Sequence, residues 1–395
     1  MNNILNQIII SGVGDEYVCL RNTVGHVWWL PCNRMRRYMS LFQPSSLKGS
    51  IVSLLLPYFY HSERLLRFIH AERVRQSFQP DFISGLSKCF GVDDITCAVF
   101  GGSPGYHQKP TLLVASQGKV IGYCKLSDSK NIINLFRQET ETLRMLQKAG
   151  VEHLPRACYC GPISKESNIW AFCQTTERNC HERIARIESP EVLTFVLQMQ
   201  KRTHCEMPLE QSDFGQTLNR LETLAPQLDD ESMTSTVLEH IADIRQKLTG
   251  KACSFSAFHG DLTPWNSFIV DGHLFAFDLE YAKMSYPLYA DLFHLFTQSC
   301  LVDYNNTADE IYSKYQHLKT TVFKDICSCD FLYRCYLLHI ICFFLDRDNG
   351  IKDNHMRKSF VIWVELLKYI NNRKRSTKLY LGLKENVLNW MRGLR

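Results

Sequence analysis

Short apolar runs open the chain, at residues 7–10, 17–20 and 27–30, and each reads as a short β-strand. A stretch rich in Leu, Phe and Arg, residues 54–77, reads as helical, and the pattern changes around Gln79-Pro80-Asp81. From Ile95 it is strand-like again: ITCAVF, a glycine-rich turn, TLLVAS, a Gln117-Gly118 turn, then VIGYCKL. Two such runs joined by a short Gly-containing turn predict a hairpin. Apolar residues at 132, 135, 136, 143 and 146 have helical spacing, with Gly150 placed as a C-cap. Two more short strands follow at 155–160 and 169–174. Residues 86–175 therefore predict a small antiparallel sheet carrying one helix. Beyond Thr175 the pattern is helical, at about 190–204, 213–226, 231–249, 286–300, 307–328, 330–346, 355–371 and 381–394. One β-rich island, 254–281, interrupts it.

Composition narrows the class without naming it. At 395 residues, 45% hydrophobic and 22% charged, the chain fits a globular protein of more than one domain. Charge is distributed unevenly. Residues 1–80 hold 9 Lys/Arg against 4 Asp/Glu, residues 81–350 hold 25 against 33, and residues 351–395 hold 11 against 3. An acidic middle thus lies between two basic ends, and these read either as solvated faces or as a surface for an anionic partner. The 16 cysteines include no paired C-x-x-C units for zinc, and the N-terminus has no basic n-region followed by an apolar run. A cytoplasmic protein with reduced thiols is expected. The longest apolar segment, 331–345, is too short to span a bilayer, contains Arg334, and reads as a buried helix.

The chemistry is concentrated in the island FHGDLTPWNSFIVDGHLFAFDLEY. Asp271-Gly272 between two apolar runs is a strong two-residue hairpin signal. If Val270 pairs with His273, Asn266 pairs with Phe277 and Asp278 lies one step beyond. The open end of the hairpin then carries Asn266 and Asp278 beside the loop holding His259, Gly260 and Asp261. Strict alternation puts 266 and 278 on opposite faces, so their convergence needs a twist or bulge. Oxygen-bearing side chains brought near one point suit a hard divalent cation. Each residue alone is an ordinary turn residue; the set is much harder to explain that way.

HGDLTPWN followed by FDLEY resembles the aminoglycoside phosphotransferase/choline kinase family of protein-kinase-like small-molecule phosphotransferases. The resemblance spans roughly residues 90–345, and its specificity lies in 259–280. It implies an α+β, two-lobed protein-kinase-like fold with ATP between the lobes. The expected organisation is an N-terminal accessory region (1–85), a small lobe (86–175) and a helical large lobe with basic C-terminal helices (176–395). By the resemblance Asp261 is the catalytic base and His259 braces its loop. Asn266 and Asp278 bind Mg²⁺, with Glu280 a further candidate near the metal. Asp291 matches an Asp that buttresses the loop, and it reads equally as a helix N-cap. Lys125 takes the place of the lysine on the α/β-phosphates, and Glu139 that of its helix partner, with Glu141 a competitor turned off that face. Gly101, Gly102 and Gly105 form a loop that either covers phosphates or simply closes a hairpin.

The expected activity is transfer of the γ-phosphoryl group of ATP to a hydroxyl of a small acceptor. The HGDxTPWN form resembles members associated with bacterial surface-polysaccharide genes, which favours a sugar or glycan precursor. An aminoglycoside or choline-like amino alcohol is the alternative, and a nucleotide-binding pseudokinase scaffold is a third reading from another class. The tail NNRKRSTK (371–378), flanked by amphipathic stretches, suits peripheral contact with an anionic membrane. No nucleic-acid partner is expected, since the presumed site lies in the acidic middle.

Overall fold

Eight strands form one antiparallel sheet in the order β3-β1-β2-β4-β5-β6-β8-β7. They are β1 (Ile9–Arg21), β2 (Val27–Pro31), β3 (Ala71–Phe78), β4 (Thr96–Phe100), β5 (Thr111–Ser116), β6 (Lys119–Ser127), β7 (Ala157–Pro162) and β8 (Trp170–Thr175). The computed structural model describes residues 3–42, 47–103, 108–164, 167–179, 181–348 and 354–371. Two compact units divide the chain: Met1–Gln147 with His153–Glu182, and Lys148–Glu152 with Arg183–Arg395. The first is the sheet-bearing lobe and the second is mainly helical, the mixed architecture expected from the sequence.

Residues 1–85 are built into the sheet, because β1, β2 and β3 extend it beyond β4. The stretch 54–77, expected to be helical, divides into α2 (Leu47–Phe59), α3 (Glu63–Phe68) and then strand β3. His70 takes φ 55 and turns the chain at that break. Beyond it, AERVRQSF forms an edge strand, where charged side chains are tolerated. Ala71, Val74 and Phe78 continue the helix-like spacing of the Leu and Phe upstream, which masked the strand.

Both faces of the sheet are covered, so its central strands are apolar on both sides. On one face Cys97, Val99, Leu112, Val114, Cys124 and Leu126 pack with α1 (Asn3–Ile8) and α4 (Pro80–Phe90). On the other, Ala98, Leu113 and Ala115 pack with Met35, Tyr38, Met39, Val52, Leu56 and Leu66. Helix α5 (Lys130–Lys148) follows β6 and stacks Phe136 on Phe172 of β8. It ends at Lys148, with Gly150 at φ 82 just beyond.

The second unit carries α6 (Pro190–Thr203), α7 (Asp213–Leu224), α8 (Glu231–Leu248), α9 (Ala290–Gln298), α10 (Ala308–Thr320), α11 (Cys329–Asp348) and α12 (Asn354–Asn371). Its strands are β9 (Arg183–Ile184), β10 (Cys205–Pro208), β11 (Ala252–Phe258), β12 (Ser267–Val270), β13 (His273–Ala276) and β14 (Lys283–Pro287). They form two three-stranded sheets, β10-β11-β14 and β13-β12-β9. Helix α11 is apolar around most of its circumference because it is the buried centre of this unit, with Leu337, Leu338, Ile340 and Ile341 fully buried. Its Arg334 pairs with Asp243 at 2.9 Å. No described helix is long and apolar enough to cross a membrane, and every described cysteine is free. The basic tail from residue 372 and the stretch expected as a helix at 381–394 lie outside the described residues.

Candidate functional site

The island folds as its spacing predicts. Val270 pairs with His273 and Ser267 with Ala276, and the Phe277 N–H donates to the Asn266 carbonyl at 3.0 Å. Asp271 and Gly272 both have positive φ (49 and 83), as the two-residue turn requires. One step past the ladder, Asp278 takes φ 70. This left-handed residue ends the strand alternation at Asp278. The carboxylate oxygens of Asp278 and Glu280 then lie within 4.8 Å of one another, with Glu280 buried and Asp278 half-buried.

Asp261 is held on both oxygens. Asn266 Nδ2 donates to its Oδ2 at 2.8 Å and to its carbonyl at 3.1 Å. His294 Nε2 lies 3.0 Å from Oδ1. An ionised carboxylate only accepts, so Nε2 carries the proton and Nδ1 is left to accept from the Tyr336 hydroxyl at 3.4 Å. The Asp261 side chain retains 33% exposure while that of His294 has 2%. The support is rigid on one side and open on the other. Because the Asn266 amide spends its N–H groups on Asp261, its oxygen is the atom suited to a cation.

The loop backbone is fixed from beneath. His259 N–H donates to both Asp291 oxygens at 3.1 Å, and the neighbouring Gly260 N–H also favours the charged carboxylate. Burial pushes Asp291 up to about 7, while those two N–H donors act in the opposite sense. The helix N-cap is Tyr289, so Asp291 buttresses the loop and leaves the cap position to another residue. His259 is fully buried and burial pushes it down to about 4, although Asp261 and Asp278 pull upward. It is therefore neutral at pH 7, and its Nδ1 accepts from Asp261 N–H at 3.3 Å. Gly260, at φ 89, has no room for a side chain: a Cβ there would meet the Tyr281 carbonyl oxygen at 2.4 Å. That close approach joins the 259–266 loop to the 278–281 loop.

In the sheet-bearing unit, Lys125 Nζ meets Glu139 Oε2 at 2.9 Å, both groups buried. Glu141 is exposed, as its place on the helix required. The Gly101 N–H donates to the Val27 carbonyl at 2.8 Å and is thereby taken into the sheet. Gly102, at φ 81, closes tightly on Lys109, whose carbonyl oxygen would lie 2.7 Å from a Cβ. These contacts are those of a hairpin closure. Gly105 lies outside the described residues.

Sequence reasoning missed His294. Its only signal is the polar residue inside YADLFHLF, three positions after Asp291, on a helix whose nine residues are all buried. Asn266, Asp278 and Glu280 offer oxygen donors only, and two carboxylates so close repel unless a cation or proton intervenes. This donor set fits Mg²⁺.

No protein-family model and no curated protein matches the chain. Solved structures do resemble it. One is a candidate fructosamine-3-kinase from Haemophilus somnus (16% identity; 73% of this chain and 96% of that one; TM-score 0.46). Another is an aminoglycoside 2'-phosphotransferase with GDP (13% identity; 75% and 99%; TM-score 0.47). A third is the choline kinase LicA of Streptococcus pneumoniae (16% identity; 67% and 92%; TM-score 0.43). These descriptions include the phosphotransferase types that the 259–280 motif resembles.

Proposed function

We propose that the protein is an ATP- and Mg²⁺-dependent phosphotransferase that moves the γ-phosphoryl group to a hydroxyl of a small acceptor, with a sugar or glycan precursor as the first acceptor to test. The observation that carries this reading is the Asp261 carboxylate, gripped through Oδ1 by His294 and through Oδ2 by Asn266 yet one-third exposed. A carboxylate so placed can orient an acceptor hydroxyl and take its proton. The hydroxyl oxygen then bonds to the γ-phosphorus, the bond to the β-phosphate bridging oxygen breaks, and ADP leaves with that electron pair. Asn266, Asp278 and Glu280 would hold the cation, which when bound neutralises phosphate charge. Lys125, kept in place by Glu139, is assigned to the α/β-phosphates. His259 stays neutral and supports the loop.

The test is ATP consumption over a panel of sugars, aminoglycosides and amino alcohols, run with wild type and Asp261→Asn. Acceptor-dependent ADP release by wild type alone is the expected result. Equal rates for the two proteins across the panel would remove the enzyme reading and favour a scaffold.

A further inference from the structure

A nucleotide held through its phosphates by Lys125 must lay its base on nearby apolar ground. Side chains alternate along β6, so Tyr123 shares the face of Lys125 while Cys124 and Leu126 point the other way. The register places Leu113 across from Tyr123, Ala98 across from Leu113, and Phe100 across from Thr111. Adjacent strands are about 4.8 Å apart, so this patch lies within roughly 10 Å of Lys125 across two strand spacings. It is the apolar surface available to a base on that face.

The chain's own N-terminal segment covers that surface. Two single 3-10 turns, Met35–Arg37 and Met39–Leu41, pack Met35, Tyr38, Met39 and Phe42 against Ala98, Leu113 and Ala115. Ala98 and Leu113 are left with 0% exposure. Tyr38 faces Thr96, and Ser40 faces the Tyr123 hydroxyl while its own Oγ donates to the Arg37 carbonyl at 3.5 Å. Trp28 stacks on Phe100 with centroids 5.2 Å apart and meets Phe42 edge-on at 5.0 Å. The guanidinium groups of Arg34 and Arg37 fill the space over Gly118 at the β5–β6 turn.

The segment is well packed but only locally bonded. Its backbone bonds run from Arg37 to Arg34, Tyr38 to Met35, Leu41 to Tyr38 and Phe42 to Met39, all within 34–42. Arg34 starts it at φ 58, a left-handed conformation that a β-carbon disfavours. It can therefore leave as a unit without breaking a sheet hydrogen bond. We infer that residues 34–42 are an intramolecular plug on the base-binding ground beside Lys125, so that nucleotide binds only when the plug is displaced.

This inference rests on assigning Lys125 to the nucleotide, and its test reads binding, so it is separable from the turnover test of Asp261. Titration of a fluorescent ATP analogue with Mg²⁺ should give at least about 10-fold tighter binding to Met39→Asp than to wild type. Tyr123→Phe, which removes only the hydroxyl that faces Ser40, should give a smaller step in the same direction. Hydrogen exchange of wild type, which needs no variant to fold, should quicken at the amides of 35–42 when Mg-ATP saturates. Unchanged or weaker binding by folded variants would overturn the plug, as would slower or unaltered exchange at 35–42 under saturating nucleotide. A wild type that transfers phosphate while showing either result would lose the plug and keep the enzyme reading. A wild type that opens at 35–42 without transferring phosphate would do the reverse.

Discussion

His294 donates from Nε2 to Asp261 Oδ1 across 3.0 Å, from a helix 33 residues further along the chain. The bond fixes the plane of the one carboxylate in the loop that both is supported and faces outward. A buried imidazole with Tyr336 behind it has little freedom to rotate, so it acts as a positioning residue through Asp261. His294→Ala should lower kcat about 100-fold, the usual effect of misplacing a reacting group by an ångström. KM for ATP should hold, and His294→Gln should recover part of the loss by restoring a donor. Steady-state kinetics check the split; an alanine variant with wild-type kcat would refute the role.

The Lys125–Glu139 pair allows stability and binding to be separated. Lys125→Met removes the ammonium beside the fully buried Glu139 carboxylate, a change that costs about 3–5 kcal/mol. Adding Glu139→Gln should restore most of that loss, because a neutral amide needs no counter-charge. Nucleotide affinity should stay low in both proteins. Urea denaturation beside an ATP-analogue titration measures the two effects independently.

Asp278 should show opposite signs for fold and function. Its φ of 70 suits glycine, and a non-glycine residue there costs roughly 1–2 kcal/mol. Asp278→Gly also removes a carboxylate within 4.8 Å of another at Glu280. The variant is expected to melt higher than wild type and to lose divalent-dependent transfer. Thermal melts with an Mg²⁺ titration of activity would show it, and a lower melting point would contradict the strain argument.

Asp291 ties stability to pH. Its folded-state value is raised to about 7 from 3.8, chiefly by burial. A carboxyl raised on folding binds its proton more tightly in the native chain, so this stabilisation is complete below about 4 and is lost as pH rises toward 7. Asp291→Asn cannot ionise. Its stability relative to wild type should therefore improve by about 2.6 kcal/mol between pH 5 and pH 8, at 1.36 kcal/mol per unit. Denaturation of both proteins at the two pH values decides it; a constant difference would mean that Asp291 is ionised throughout.

What the sequence determined was local. The Asp271-Gly272 turn set the register of β12 and β13, and that register fixed where Asn266 and Phe277 stand. The family resemblance put Lys125 on a strand and Glu139 on the following helix as partners, and the ion pair forms at 2.9 Å. Helix spacing likewise separated Glu139 from Glu141, because two positions turn a side chain off the face. These readings succeeded because turn chemistry and side-chain period act over a few residues.

Tertiary structure decided what depends on residues far apart. Strand β3 was concealed within a run read as helical, since its edge position is defined by pairing with β1, more than fifty residues earlier. Asp278 stands beside Glu280 on a left-handed backbone, which the local pattern did not announce. Nothing near His294 announces Asp261. The bond exists because α9 is buried on every side and directs one polar group at the loop. The cover over the sheet beside Lys125 is also beyond local reading, as 34–42 looks like an ordinary connection until β4, β5 and β6 give it a surface. Turns and periods write themselves into neighbouring residues; the partners of a buried side chain are chosen by the closing of the fold.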